Sequence, residues 1–261
     1  MVRTLTGLLL TAVVTAAIWF LSPWQLLLFA EAVLVLAFLE YAALAARLAG
    51  PFSRFAAAAG TCAACAAVAW PGLPLDVTLM AVTVALASLA LASGPPAPAV
   101  LHRLAAALLP VLYLGLPFGA LVAIRVLAGP QAVLLLVLAV AVSDTAQLYV
   151  GRRFGRTPLA PVISPKKTVE GAVAGLVAGP AFLALVGTWW LPGLAAPWRV
   201  GVGIAVVATG ILGDLFESML KRSADVKDSS ALLPGHGGVL DRIDSLLFAA
   251  PAYYVFLRFG L

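Results

Sequence analysis

Charge is what this sequence has least of. Only 10% of its 261 residues are Asp, Glu, Lys or Arg, against about a quarter in soluble globular chains. A chain that is 63% hydrophobic, with a mean hydropathy of +1.09, has too little polar surface to enclose a water-soluble core. That excludes a soluble enzyme and makes lipid the main solvent. Cysteine is nearly absent: Cys62 and Cys65 in "CAAC" are the two in the chain. Their setting is small and apolar, without the polar loop that redox or metal cysteines use, so they read as helix-packing residues. Histidine is limited to His102 and His236, which argues against zinc. No internal repeat, long low-complexity linker or soluble appendage is apparent. The formal net charge of +5 fits cytoplasmic loops of a membrane protein and not nucleic-acid binding.

What fills the chain instead is apolar runs. A helix needs about 20 residues to cross a bilayer. Nine runs qualify, near residues 5–21, 24–46, 55–71, 76–93, 104–126, 130–150, 169–190, 198–220 and 240–259. The first resembles a signal peptide, but its run of about 17 residues exceeds the usual 7–15. It is expected to remain as an uncleaved helix. The expected fold is an all-α, polytopic membrane bundle of about nine transmembrane helices, a single domain over residues 1–261. Residues 1–128 form N-terminal helices; residues 129–261 form catalytic helices with two cytoplasmic loops, roughly 151–168 and 221–239. With the N-terminus cytoplasmic, Arg125, Arg199 and Arg258 are the only basic residues on the far side, out of 16. The topology is therefore read as N-in, C-out.

Against this background the acids stand out. An Asp inside a span costs roughly 2.5–3.5 kcal/mol on insertion scales. Asp144 and Asp214 each lie about six residues before the cytoplasmic end of a span, or ~9 Å deep at 1.5 Å per residue. Asp241 and Asp244 open the ninth span, and Glu170 opens the seventh. Asp244 or Glu170 alone could be explained as a charge favoured by a helix N-terminus. Asp144 and Asp214 are near no helix start. Asp214, Glu217 or Ser218, and Lys221 share one helix face by spacing, as do Asp241, Asp244 and Ser245.

The basic counterpart is "GRRFGRTPLAPVISPKKTVEG", where Arg152, Arg153 and Arg156 precede Lys166 and Lys167. Acids and cations at one membrane face are reconciled by a divalent cation on the carboxylates, with phosphate oxygens bridging to Lys and Arg. Oxygen donors of this kind suit Mg²⁺. "PGHGG", with His236, Gly237 and Gly238, offers mobile backbone N–H groups to a phosphate.

The stretch "SMLKRSADVKDSSALLPGHGGVLDRIDS" closely resembles the signature of phosphatidate cytidylyltransferases (CDP-diacylglycerol synthases). Its fixed positions are all present: Ser218, Lys221, Arg222, Lys227, Asp228, Pro234, His236, Gly237, Gly238, Asp241, Arg242 and Asp244. "SDTAQLYVGRRFGRTPLAPVISPKKTVEG" resembles a second shared block, with Gln147-Leu148 where many members have Ala-Tyr. The first hundred residues match only as apolar spans with the Glu40–Tyr41 pair.

The resemblance implies a nine-helix membrane enzyme joining CTP to phosphatidate, with CDP-diacylglycerol and pyrophosphate as products. It also implies metal binding by Asp214 and Asp241. Asp144 is a third candidate metal ligand, and a second metal ion is compatible with the site. Lys166, Lys167, Lys221, Arg222 and Lys227 are expected on the phosphates. Ser218, His236, Gly237, Gly238 and Arg242 join them in binding substrate. Arg242 and Asp244 would orient one another or a metal-bound water. The expected partners are CTP, phosphatidate and membrane lipid, with a homodimer compatible. A bacterial inner membrane is the expected location, with the site facing the cytoplasm.

Alternatives from the same chemistry are a CTP-dependent polyprenol or phytol kinase, or a cytidylyltransferase for another lipid phosphate. A CDP-alcohol phosphotransferase is disfavoured because its DGxxAR-type motif is absent. A transporter is the alternative from another class. Glu31, in the middle of the second span, favours it; the clustering of the other acids at one face argues against it.

Overall fold

The computed structural model describes residues 2–260 apart from 234, and the side chains of residues 2–4 and 260 also fall outside the description. The Arg3 side chain, used above for orientation, and Pro234 of the signature thus lie outside the described residues. The chain runs α1 (Val2–Phe20), α2 (Pro23–Ala49), α3 (Arg54–Ala69), α4 (Leu75–Ala92) and α5 (Val100–Pro110). A π-helical segment (Val111–Gly115) leads into α6 (Leu116–Phe154). A small hairpin follows, β1 (Pro158–Ala160) and β2 (Ser164–Thr168), then α7 (Val169–Trp190), α8 (Ala196–Ser223) and α9 (Leu240–Gly260).

Among the described residues, five helical stretches are long and apolar enough to cross a membrane: Pro23–Ala49, Leu75–Ala92, Val100–Phe154, Val169–Trp190 and Ala196–Ser223. The difference from nine has three physical sources. Leu5–Phe20 and Arg54–Ala69 are apolar but short. The 55 residues of Val100–Phe154 hold two expected spans as one stretch. α9 carries Asp241, Arg242 and Asp244 in its opening turns. This is a helical membrane protein. Leu91 is 84% exposed, Leu8 71% and Val177 65%, a liability in water but the natural exterior in lipid.

The chain divides into two compact units. The first comprises Met1–Ala17, Leu21–Ala123 and Ser223–Arg242; the second comprises Ile18–Phe20, Ile124–Arg222 and Ile243–Leu261. The change after residue 123 falls inside α6. The polar loop after α8, however, belongs with the N-terminal helices.

In the first unit, α2 begins with a capping box. The Ser22 N–H donates to Gln25 Oε1 at 3.0 Å, and the Gln25 N–H donates to Ser22 Oγ at 3.4 Å, with Pro23 at the first helical position. The buried Tyr41 hydroxyl donates to the Ala106 carbonyl at 2.9 Å, fixing α2 to α5. Pro110 precedes the π-helical segment, where the regular hydrogen-bond ladder is interrupted. That segment and the start of α6 lie almost on α3. A Cβ on Gly115 would stand 2.6 Å from the Thr61 carbonyl oxygen, and one on Gly119 2.5 Å from that of Cys65.

In the second unit, α6 is broken at Gly129, whose φ of 83° suits glycine, just before Pro130. Thr168 caps α7 by accepting from the Gly171 N–H at 3.1 Å. Ala172, Val207 and Ile211 form a buried core, packed by Leu159, Leu176 and Leu215. Helix α8 sits tightly on α9: a Cβ on Gly213 would meet the Asp244 carbonyl oxygen at 2.5 Å.

Gly119→Val should therefore destabilise the protein by about 1–3 kcal/mol, the range for overpacking a filled contact. Thermal unfolding in detergent measures this. An unchanged midpoint would contradict the close approach of α3 and α6.

Candidate functional site

The second unit gathers most of the acids singled out by sequence. Asp144 comes from α6, Asp214 from α8 and Asp244 from α9. Asp214 is within electrostatic range of both others, and Asp144 is within range of Asp244. Ser245, 4% exposed, links two of them. Its N–H donates to Asp244 Oδ1 at 2.7 Å, and its hydroxyl hydrogen-bonds Asp144. The amide of Gln147 also donates to Asp144 Oδ1, at 3.1 Å.

Small residues bring the carrier helices this close. A Cβ on Gly175 of α7 would stand 2.6 Å from Cγ of Gln147 and 2.7 Å from Oγ of Ser143 on α6. With Gly213 on α8 doing the same toward α9, four helices of the second unit converge around the carboxylates.

Cations answer them. Lys167 of β2 forms an ion pair with Asp214. Lys221 pairs with Glu217, four residues earlier on α8 and fully buried, and also lies within range of Asp244. Ser218 Oγ stands 3.4 Å from Asp214 Oδ1, so the face Asp214–Glu217/Ser218–Lys221 is real. The hairpin is held in place from both ends. Arg222 Nε donates to the Ile163 carbonyl at 3.4 Å. The Glu170 carboxylate accepts from the N–H groups of Arg156 and Thr157 at 3.1 and 3.2 Å. Lys166, Arg152 and Arg153 are exposed.

The first unit holds the signature loop, and Glu40 of α2 is its organiser. Glu40 is 6% exposed. Its Oε1 accepts from Ser230 Oγ at 2.6 Å and the Val239 N–H at 2.9 Å. Its Oε2 accepts from Ser229 Oγ at 2.9 Å and the Leu240 N–H at 2.8 Å. Two of those donors are backbone groups at the start of α9, where helical N–H groups lack internal partners.

Asp241 closes the same loop from the other side. Its Oδ2 lies 3.0 Å from the Ser229 N–H, 2.9 Å from Ser229 Oγ and 2.8 Å from the Gly238 N–H. The glycines are required by this packing. Gly237 has φ +78°, and a Cβ on Gly238 would collide with Ser229 Oγ and the Glu40 carboxylate. The His236 ring packs near Gly7 of α1, 3.3 Å from where a Cβ would be, with its Nδ1 buried and lacking a hydrogen bond among the described residues. Lys227 and Arg242 are exposed.

The structure thus brings together Asp144, Asp214, Asp244, Ser218, Lys167 and Lys221 in one unit, and Asp241, His236, Gly237 and Gly238 in the other. Sequence reasoning missed Glu40 as a loop anchor, together with Ser229 and Ser230. The signal was present: a carboxylate deep in an apolar helix needs compensation, and two serines in a polar loop are ready donors.

Among the described residues, no group of three or more His, Cys, Asp or Glu side chains is arranged to hold a metal ion by itself. The acids of the second unit supply oxygen only. That fits Mg²⁺, which is usually bound through one or two carboxylates and completes its shell with water and phosphate.

The model of the cytidylyltransferase family matches residues 1–260. The phosphatidate cytidylyltransferase of Helicobacter pylori is 40% identical over 153 residues, covering 59% of this chain and 57% of that protein. That of Synechocystis is 43% identical over 134 residues, 49% and 44% of the two chains. The chloroplastic phosphatidate cytidylyltransferase 5 of Arabidopsis thaliana is 44% identical over 132 residues, 50% and 32%. The chain thus spans about half or less of the length of these curated relatives.

Glu40→Ala removes the acceptor for four donors, two of them backbone N–H groups in a buried setting. Each unsatisfied buried donor costs about 1–3 kcal/mol. Hydrogen exchange across residues 229–240 should accelerate by at least tenfold, while exchange in α7 and α8 stays the same. Unchanged protection of the loop would contradict the anchoring role.

Proposed function

Because the chain belongs to the cytidylyltransferase family, we propose that it transfers CMP from CTP to phosphatidate, giving CDP-diacylglycerol and pyrophosphate. One observation carries the reading: every fixed position of the signature between Ser218 and Asp244 is present, in a chain whose curated relatives bear the name of that activity.

In the proposed reaction a phosphatidate oxygen attacks the α-phosphorus of CTP. The bond from that phosphorus to the pyrophosphate oxygen breaks in line, and its electron pair leaves with pyrophosphate. The second pKa of a phosphate monoester is about 6, so the nucleophile is already charged near neutrality and needs no strong base. The difficulty is bringing two polyanions together, which calls for cation density and alignment. Lys166, Lys167, Lys221, Arg222 and Lys227 are the proposed phosphate ligands. Lys167 and Lys221 rest on Asp214 and Glu217, which holds them extended and charged until phosphate replaces the carboxylate. His236, Gly237 and Gly238, shaped by Glu40 and Asp241, form the proposed cradle for CTP. Ser218 and Arg242 assist in binding, and Asp244 positions its neighbours.

Asp144 and Asp214 in the second unit and, separately, Asp241 in the first are the residues proposed as Mg²⁺ ligands, with Asp244 in range of Asp144 and Asp214. When bound, the ion supplies positive charge to the triphosphate and to the departing pyrophosphate. The reading includes a cytoplasmic orientation of the site, supported by the placement of basic residues, and a bacterial inner membrane, supported by the bacterial relatives. It also includes a homodimer, for which α4 offers surface: Leu86 is its one residue buried among those described.

Purified protein given CTP, Mg²⁺ and phosphatidate should yield a lipid heavier by one CMP group, detected by mass spectrometry. EDTA should abolish the product and Mg²⁺ restore it. Asp214→Asn should lower turnover by ~10²-fold or more, the scale for losing one electrostatic stabiliser, with unfolding little changed. Full turnover in excess chelator, or in Asp214→Asn, would overturn the metal assignment.

A further inference from the structure

Glu31 has no role in the chemistry above, and its surroundings are unlike those of the other acids. It lies on α2, nine residues before Glu40 and well away from the signature loop in sequence. Behind it, the thiols of Cys62 and Cys65 on α3 lie within electrostatic range of its side chain. This accounts for the CAAC spacing: residues three apart share a helix face and hold one carboxyl group between them. Oε2 of Glu31 is buried and has no hydrogen-bond partner among the described residues.

In front of Glu31 is a cavity of about 520 Å³ lined by Trp24, Leu27, Leu28, Ala66, Trp70 and Leu73, with Gly72 and Glu31 itself. That volume is in the range of small-molecule sites, which are mostly apolar with a few placed polar groups. The two indoles meet as a corner, with ring centres 5.9 Å apart and planes at 74°. Trp70 is the C-cap of α3. The following turn tucks beneath it because residue 72 is glycine: a Cβ there would stand 3.3 Å from the Trp70 ring.

We propose that this cavity binds the ammonium head of an amphiphile, with the cation between the Glu31 carboxylate and the Trp24–Trp70 corner and the chain along Leu27, Leu28 and Leu73. A carboxylate without enough donors in an apolar cavity lacks compensation. Indole faces attract cations and not anions, so the two features select the same ligand charge. The apolar walls select a hydrocarbon chain over a small hydrated ion. Under the N-in topology, the turns before α2 and after α3 lie at the non-cytoplasmic face, so the lipid heads of that leaflet can reach the cavity.

The test uses the purified full chain in a neutral detergent, with octyltrimethylammonium as probe and calorimetric titration as readout. The controls are tetramethylammonium, which lacks the chain, and octyl glucoside, which lacks the charge. The probe should bind at least tenfold more tightly than either control. Glu31→Gln should remove that preference. Ala66→Leu, which fills the cavity but keeps the carboxyl group, should abolish binding of the probe. Elution volume and unfolding midpoint confirm that both variants fold, and a variant that fails is replaced by Trp70→Leu, which should weaken the probe several-fold. Equal binding of probe and octyl glucoside, or an unaltered preference in Glu31→Gln, would overturn the site. Tetramethylammonium binding as tightly as the probe would overturn its assignment to an amphiphile. No step of this assay involves CTP, so its failure leaves the proposed reaction untouched, and the converse also holds.

Discussion

Removing a carboxylate from water costs several kcal/mol unless donors or positive charge replace the lost hydration. In a chain with so little charge, that constraint decides where the acids stand. Glu40 meets it with four donors from the signature loop. Asp241 meets it with two N–H groups, and the single proton of the Ser229 hydroxyl is shared between Asp241 and Glu40. Asp214 and Glu217 take lysines. In each case the acid fixes a group that the proposed chemistry uses: a loop, a helix start or a lysine. Glu31 Oε2 has no hydrogen-bond partner among the described residues, which sets it apart from the rest.

Close helix packing makes these arrangements possible. Lipid gives little hydrophobic drive for one helix to meet another, so small residues that let backbones approach take over. Gly175 seats α7 against α6, and Gly213 seats α8 against α9. The same glycines that bring the helices together bring Asp144, Asp214 and Asp244 into mutual range. Packing and electrostatics are therefore one design in the second unit. A larger side chain at either glycine would separate helices and spread the charges.

Much of this was legible in the sequence, because a span forbids charge and any exception is conspicuous. Asp144, Asp214 and the lysines of the two polar stretches could be picked out by that rule alone. Asp214, Ser218 and Lys221 could also be placed on one helix face, since a period of 3.6 residues leaves no other arrangement. Glu40 was visible as an acid but not as an anchor: its partners lie about 190 residues away, and no local pattern records such a contact. Asp241 was conspicuous as an acid at a helix start, but its bonds to Ser229 and Gly238 depend on turns that spacing does not specify. The two cysteines read as packing residues, and they do pack, but their place beside Glu31 needed the register of α2 against α3. The small hairpin carrying Lys166 and Lys167 was seen only as a polar loop. Its pairing is short, and nothing in "RTPLAPVISPKKT" alternates strongly.

The central claim is that this arrangement of acids, lysines and glycines moves a cytidylyl group and not a terminal phosphate. The most direct measurement is the fate of isotope in CTP labelled at either the α- or the γ-phosphate, followed into the lipid fraction made by the purified protein from phosphatidate. The account predicts that α-label enters the lipid and γ-label leaves as pyrophosphate. Transfer of γ-label to the lipid, with α-label remaining in CDP, would contradict it.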